Sequence, residues 1–466
     1  MKLIYDTKDK PKFGQLIVFA IQQLLAIMAA TLVVPVIING NVAGFIKDGT
    51  ITWEFAKQMS PAAALFGAGI GTLVYVLFTR RKSPVFLGSS FAFLGSMAAA
   101  FAGAVSMAAG YLGLILGAIF AGLVYVVLAI VIKAAGVKWV NKLMPAVVIG
   151  PTVAIIGLSL AGNAVGDLKT ANAGGDVRIA ILCGLVTLFV TMLCSTFGKK
   201  TMKLIPFIIG ICAGYVFAAI LTVIGKTAGI EALMVIDFSS IQALWADGIT
   251  IKTFFSVPDF TFLNAVKGFG DLNGSYIGTL LAAYVPVAFV VFAEHIADHK
   301  NISSIIEKDL LEDPGLANTL LGDGVGSMAG AFFGGCPNTT YGESIACVAI
   351  TGNASVATII TAAIGAIIIA FLTPFVAFVN SIPSCVMGGV CMALYGFIAV
   401  SGLKMIQKVD LEQNRNLFVV SVILIAGIGG LAVSFGKVTI TAIACALILG
   451  IITNVILNKK GEAEAK

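Results

Sequence analysis

The chain has 466 residues, of which 59% are hydrophobic and only 11% charged, and its mean hydropathy is +1.03. This composition excludes a soluble globular domain and indicates an all-α polytopic membrane protein. The net charge of +6 fits a basic membrane rim and implies no nucleic-acid partner.

The first apolar stretch follows MKLIYDTKDKPKFGQ. It lacks a cleavage-site pattern and reads as a retained helix. Runs of about 20 apolar residues, enough to cross a bilayer, recur along the chain. About 14 spans are predicted, at 15–38, 61–79, 85–107, 111–133, 144–163, 179–197, 203–225, 273–297, 316–334, 337–352, 355–379, 383–402, 416–434 and 438–457. With the first residue inside and sides alternating, the inner side receives 21 of the 29 Lys and Arg residues. The clusters that decide this include Arg80–Lys82, Lys133–Lys142 and Lys199–Lys203. The bias predicts a multi-pass protein of the cell membrane with both termini cytoplasmic.

Two polar interruptions face outward, at 40–60 and 227–270, and the second is expected to form an interfacial helix or a short hairpin. It divides the chain into residues 1–226, the first set of seven spans, and 271–466, the second. The two sets share faint similarities. Pro145-Ala-Val-Val-Ile-Gly150 in span 5 matches Pro383-Ser-Cys-Val-Met-Gly388 in span 12, and Ser89-Ser90-Phe91 in span 3 echoes Thr339-Thr340-Tyr341 in span 10. Partners seven spans apart must lie upside down relative to each other, which is the trace of two inverted repeats.

Spans 3 and 10 are broken near their starts. PVFLGSSFAFLGS and CPNTTYGES mix β-formers with Gly, Pro, Asn and hydroxyl residues, which suits short extended segments followed by half-helices. Non-helical backbone at membrane depth survives beside a cavity or inside protein. Free N–H groups at a helix start bind anionic or carbonyl oxygens. A site is therefore expected where the extended segments cross, with Phe91 and Gly342 at the half-helix starts.

Two acids stand in apolar surroundings, Glu294 in span 8 and Glu343 directly after Gly342. An intramembrane carboxylate is a functional-site hypothesis by default. Carboxylates accept from N–H groups and backbone amides donate to carbonyls, so a small planar ring alternating the two, such as uracil, matches the set. Asp298 lies four residues after Glu294 on the same helical face. Two such acids cannot both ionise cheaply, which makes Asp298 a candidate proton carrier; the alternative is a solvated cap beside Lys300. His295 points about 100° away from Glu294, and His299 is expected at the headgroups as a solvated residue. Asp323, among Gly, Ala and Ser, is expected to be structural. The eight cysteines read as packing residues. No metal site, cofactor, nucleotide-binding loop or nucleophile–base pair is recognisable, so no enzymatic activity is expected.

QQLLAIMAATLVVP, LGSSFAF, FAEHIADH, KDLLEDPGL and PNTTYGES, in that order, resemble the nucleobase:cation symporter-2 (nucleobase–ascorbate) family, in its bacterial uracil permease branch. The resemblance implies a core domain of spans 1–4 and 8–11 that holds substrate, and a gate domain of spans 5–7 and 12–14 that moves against it. It places uracil on Glu294 and Glu343 and on the amides of Phe91 and Gly342, with Ala30, Tyr341 and Tyr395 packing around the ring. Proton coupling falls to Glu294 and Asp298. The best-known pattern has histidine where this chain has Asp298, which keeps sodium open as an alternative ion. The resemblance also suggests a homodimer. The expected function is proton-coupled uracil import by alternating access; the alternatives are a purine, xanthine or broad nucleobase carrier, or an anion exchanger or channel of the same architecture.

Overall fold

The computed structural model describes residues 3–136, 139, 145–246, 248–435 and 438–464. Lys138 and Lys142 of the predicted basic rim lie outside the described residues. Among those described, eight helices are long and apolar enough to cross a membrane. They are Phe13–Lys47, Pro61–Phe78, Met107–Ala135, Ala146–Leu168, Val177–Phe197, Pro206–Ala228, Gly274–Ile306 and Ser384–Ile406, which form spans 1, 2, 4, 5, 6, 7, 8 and 12. Shorter apolar helices, Phe91–Ala102, Gly342–Thr351, Val356–Ile369, Asn414–Ile428 and Ala442–Leu457, supply spans 3, 10, 11, 13 and 14. Helix Leu316–Gly334 is span 9.

Several boundaries move. Span 1 runs on to Lys47 and span 8 to Ile306, because each helix continues past its apolar run until a C-cap ends it. Span 11 is cut into Val356–Ile369 and Thr373–Ser381, the second helix carrying Pro374 in its first turn, where its missing N–H costs nothing. Between spans 13 and 14 the chain forms an unanticipated antiparallel pair, β3 (Val433–Phe435) with β4 (Val438–Ile440). Its alternating Val, Phe, Thr and Ile favour strand over helix.

Spans 2 and 9 form a slab with almost no space between backbones. A Cβ at Gly67 would lie 2.4 Å from the Gly330 carbonyl oxygen, and one at Gly71 2.7 Å from that of Gly326. Small residues four apart on both helices allow this approach, the usual way membrane helices gain contact without a hydrophobic driving force. Spans 6 and 7 sit at the other extreme, with 33% of their central windows buried against 67% for spans 1 and 2. Many of their apolar side chains, such as Phe189, Leu193, Val216 and Ile220, are exposed.

The paired motifs of the two halves meet in the packing. Pro145 and Pro383 occupy the N-cap positions of spans 5 and 12. These two helices pack closely: a Cβ at Gly157 would meet the Tyr395 carbonyl oxygen at 2.3 Å, and one at Gly402 the Ala154 amide at 2.3 Å. In spans 3 and 10, β1 (Leu87–Ser89) pairs antiparallel with β2 (Asn338–Thr340), with Leu87 opposite Thr340 and Ser89 opposite Asn338. Ser90 donates its N–H to the Pro337 carbonyl at 2.8 Å and Tyr341 donates to that of Phe86 at 3.2 Å, so backbone bonds continue to the half-helix starts.

The 227–270 segment is neither one interfacial helix nor a hairpin. It is a string of short helices, among them Ser239–Gln242, Ile251–Phe254 and Thr261–Ala265. Phe260 and Phe262 dock it on the slab, with ring centroids 4.9 Å from Phe66 and 4.8 Å from Phe332. At the opposite end of the molecule, residues 4–9 form a strap across the span 10–11 junction. Ala354 and Val356 donate to the carbonyls of Tyr5 and Thr7, and Lys308 binds Asp6 at 2.5 Å. The hydrogen bond from Lys308 holds the Asp6 carboxyl below its ordinary range.

Candidate functional site

Span 8 carries the sequence Glu294-His295-Ile296-Ala297-Asp298-His299. Acids and imidazoles each recur at i and i+4, so two stripes run side by side along the helix, about 100° apart. The acid stripe faces a cavity of about 430 Å³. Glu294 and Asp298 line it one turn apart, and Thr340 on β2 donates its hydroxyl to Asp298 at 2.7 Å.

The half-helices meet the same cavity. Residues Phe91–Phe93 open span 3 as a 3-10 turn after the extended Ser90, and Gly342 begins the span 10 helix after the extended Tyr341. Phe91, Gly342 and Glu343 all line the cavity. A Cβ placed on Gly342 would meet nothing within 4 Å, so the bare glycine keeps the cavity open above its own amide. Both half-helix starts thus turn backbone donors and the positive ends of their dipoles toward one space.

The opposite wall comes from spans 5, 7 and 12, through residues such as Val153, Phe207 and Leu394, and Lys203 lies at its edge. Among the described residues no Lys or Arg forms an ion pair with Glu294, Asp298 or Glu343. The cavity therefore holds three carboxylates, backbone donors, hydroxyl groups and apolar walls, with Lys203 among its lining residues.

The structure brings together Phe91, Glu294, Asp298, Tyr341, Gly342 and Glu343. Ala30 and Tyr395 stand behind the wall. Ala30 is buried, and Ala26, one turn earlier, lines the cavity in its place. Tyr395 is also buried and sets its ring edge against Phe91, centroids 5.8 Å apart.

One expectation is overturned. His299 is not a solvated headgroup residue; it is fully buried, with Nε2 2.7 Å from the Tyr75 hydroxyl and Nδ1 2.8 Å from the His295 carbonyl. The helix continues past the predicted end of span 8, and span 2 covers this turn. Nor is Asp298 a solvated cap beside Lys300, because its carboxylate accepts from Thr340 in the cavity instead. Asp323 is buried and bound to His295 Nδ1 at 2.7 Å, in keeping with a structural role. Sequence reasoning missed Gln23, whose amide donates to the Ser344 hydroxyl next to Glu343. Two adjacent amides, Gln22 and Gln23, in an otherwise apolar stretch were the available signal.

Two interlocked sets of seven spans with a polar cavity at paired half-helix starts define a membrane transporter of the seven-plus-seven architecture. The fold matches that of murine Slc26a9, an anion transporter, with a TM-score of 0.62 at 10% identity over 97% of this chain and 69% of that one. It also matches the transmembrane domain of the cyanobacterial bicarbonate transporter BicA, with a TM-score of 0.55 at 14% identity over 96% and 99%. In sequence, the profile Xan_ur_permease, described as a permease family, matches residues 14–435. The chain belongs to this family, the nucleobase:cation symporter-2 group. It is 37% identical to the uracil permease of Bacillus caldolyticus over 99% of this chain and 96% of that protein. It is 36% identical to the uracil permease of Bacillus subtilis over 100% and 97%.

Proposed function

We propose that this chain imports uracil across the cytoplasmic membrane as a proton-coupled secondary transporter, with both termini cytoplasmic. The observation that carries the reading is the single cavity onto which Glu294, Glu343, Asp298 and both half-helix starts open. The uracil permeases among its relatives supply the substrate class.

Uracil offers two ring N–H donors and two carbonyl acceptors. The carboxylates of Glu294 and Glu343 accept from the ring, and the amides of Phe91 and Gly342 donate to a ring carbonyl. Desolvated polar groups on both sides make this pairing selective, because an analogue lacking one partner leaves a buried group unmatched. Uracil is neutral and three acids share the cavity, so a cation must offset their charge. Asp298, held by Thr340 one turn nearer Lys300, is the proton's loading point.

Spans 1–4 and 8–11 carry the site as the core domain, and spans 5–7 and 12–14 form the gate that supplies Phe207 and Leu394. With the basic rim inside, Lys203 in its lining places the cavity toward the cytoplasmic side. Rocking the gate across the core would open the site outward. The likeness to Slc26a9 and BicA concerns the fold alone, and three acids disfavour an anionic substrate. Labelled uracil uptake into proteoliposomes, driven by a pH gradient and then by a sodium gradient, tests the coupling. Competition by xanthine, hypoxanthine and thymine separates a pyrimidine carrier from a broad one.

A further inference from the structure

The imidazole stripe of span 8 lies outside the cavity lining, and three of its four ring nitrogens meet side chains of neighbouring helices. His295 places Nδ1 2.7 Å from Asp323 Oδ2 and Nε2 3.0 Å from the Thr319 hydroxyl, both on span 9. His299 places Nε2 2.7 Å from the Tyr75 hydroxyl on span 2. The two rings stack with centroids 4.0 Å apart, and both are fully buried. We infer that His295 and His299 are positioning residues, a two-pronged bracket that locks the rotation of span 8 and thereby aims Glu294 and Asp298 into the cavity. The consequence for uracil rests on the reading above.

Three features make the bracket rigid. Its two prongs end on different helices, and those helices are fused by the glycine contacts of Gly67 and Gly71 with Gly330 and Gly326. Tyr75 is itself seated against span 9, where a Cβ on Gly322 would lie 3.1 Å from its ring. The Tyr75 hydroxyl also meets Ser83 Oγ at 2.7 Å, which fixes the hydroxyl from its far side. The proton positions agree with a fixed bracket. Nδ1 of His299 faces the His295 carbonyl, which can only accept, so Nδ1 carries the hydrogen. A proton relay along the same residues is interrupted at that carbonyl, which accepts a hydrogen bond and passes nothing on.

Rotation is the motion that matters here. Successive helical residues differ by about 100°, so a turn of that size would exchange the acid stripe for the imidazole stripe at the cavity. On the acid face, Asp298 is held by the hydroxyl of Thr340.

The test uses purified full-length protein in detergent and the variants His299→Leu, His299→Gln and Tyr75→Phe. His299→Gln keeps a side chain able to donate to or accept from Tyr75, and Tyr75→Phe removes one hydroxyl while keeping its ring. Each is read in two ways: uracil affinity by calorimetry, and thiol labelling of Ala297→Cys, a cavity-lining position beside the acid stripe and on its side away from the imidazoles, followed on its own peptide by mass spectrometry. His299→Leu and Tyr75→Phe should each weaken uracil binding about tenfold and change the Ala297→Cys labelling rate several-fold, with the double variant no worse than either single one. His299→Gln should restore both readouts. Unchanged labelling in His299→Leu and Tyr75→Phe, with only a lower melting temperature, overturns the bracket. Labelling is independent of substrate. Failure of the parent protein to bind uracil alongside altered labelling in the variants would leave the bracket standing and remove the substrate reading.

Discussion

The Tyr341 hydroxyl donates to the Ser89 carbonyl at 2.7 Å, joining two residues 252 positions apart in the chain. The Tyr341 ring lies beneath β1, in the space a side chain at Gly88 would need: a Cβ there would fall 2.3 Å from the ring's Cζ. Tyr341 therefore fastens the crossing of the two broken spans, two residues before Phe91 and one before Gly342. The position of the donor pair depends on this clasp.

Gly88→Ala forces the ring and the strand apart. Overpacking of this kind costs about 1–3 kcal/mol, and the displaced strand carries Phe91 with it. We expect a lower melting temperature together with lost uptake. Tyr341→Phe removes the hydroxyl alone and should raise the KM for uracil with a smaller loss of stability. Wild-type KM in Tyr341→Phe would show that the hydroxyl does not set the site.

Gly342→Ala adds a methyl where nothing stands within 4 Å, so the fold should tolerate it. The methyl enters the cavity beside the donor amide. Uptake should show a raised KM at unchanged melting temperature and membrane abundance. A loss of abundance with KM preserved would contradict this placement.

The sequence made the broken spans legible because their local chemistry departs from everything around them. Hydroxyls, glycine and proline in LGSSFAF and PNTTYGES are poor helix material, and both segments turn out extended where expected, down to the starts at Phe91 and Gly342. The acid stripe of span 8 was legible from its i, i+4 spacing. Spacing gives the angle of a side chain and not what covers it, so the burial of His299 under Tyr75 was not foreseen. The cavity wall from Val153, Phe207 and Leu394 carries ordinary apolar residues with no motif to mark them. Ala26 lines the cavity one turn from Ala30, and no motif separates two chemically identical residues.

Asp298→Asn keeps a hydrogen-bond acceptor for Thr340 but cannot release a proton. If Asp298 is the loading point, uphill uptake driven by a pH gradient should fall to background while uracil counterflow, which needs no net proton movement, persists. Thr340→Val should leave both active but shift the pH dependence of uptake. Full gradient-driven uptake by Asp298→Asn would remove the residue from coupling.

The strap formed by residues 4–9 should open in acid. The Lys308 bond holds the Asp6 carboxyl below its usual value of 3.8. The strap's ionic stabilisation is therefore complete above that value and is lost as pH falls through the lower folded one. Both side chains are nearly half exposed, so the pair contributes less than about 1 kcal/mol. Hydrogen exchange at the amides of Ala354 and Val356, which the strap protects, should be constant relative to Lys308→Met from pH 8 to 5 and converge with it below about pH 4. A difference already lost at pH 6 would assign the protection to another group.

In the proposed mechanism Glu343 and Glu294 accept the substrate's N–H groups across one cavity. Uracil counterflow in proteoliposomes containing Glu343→Gln measures this most directly, because it needs substrate binding and no ion gradient. An amide in place of the carboxylate loses a charge-assisted acceptor in a desolvated site, and counterflow should fall to the level of empty vesicles while the variant remains folded and inserted. Counterflow at the wild-type rate would contradict the account.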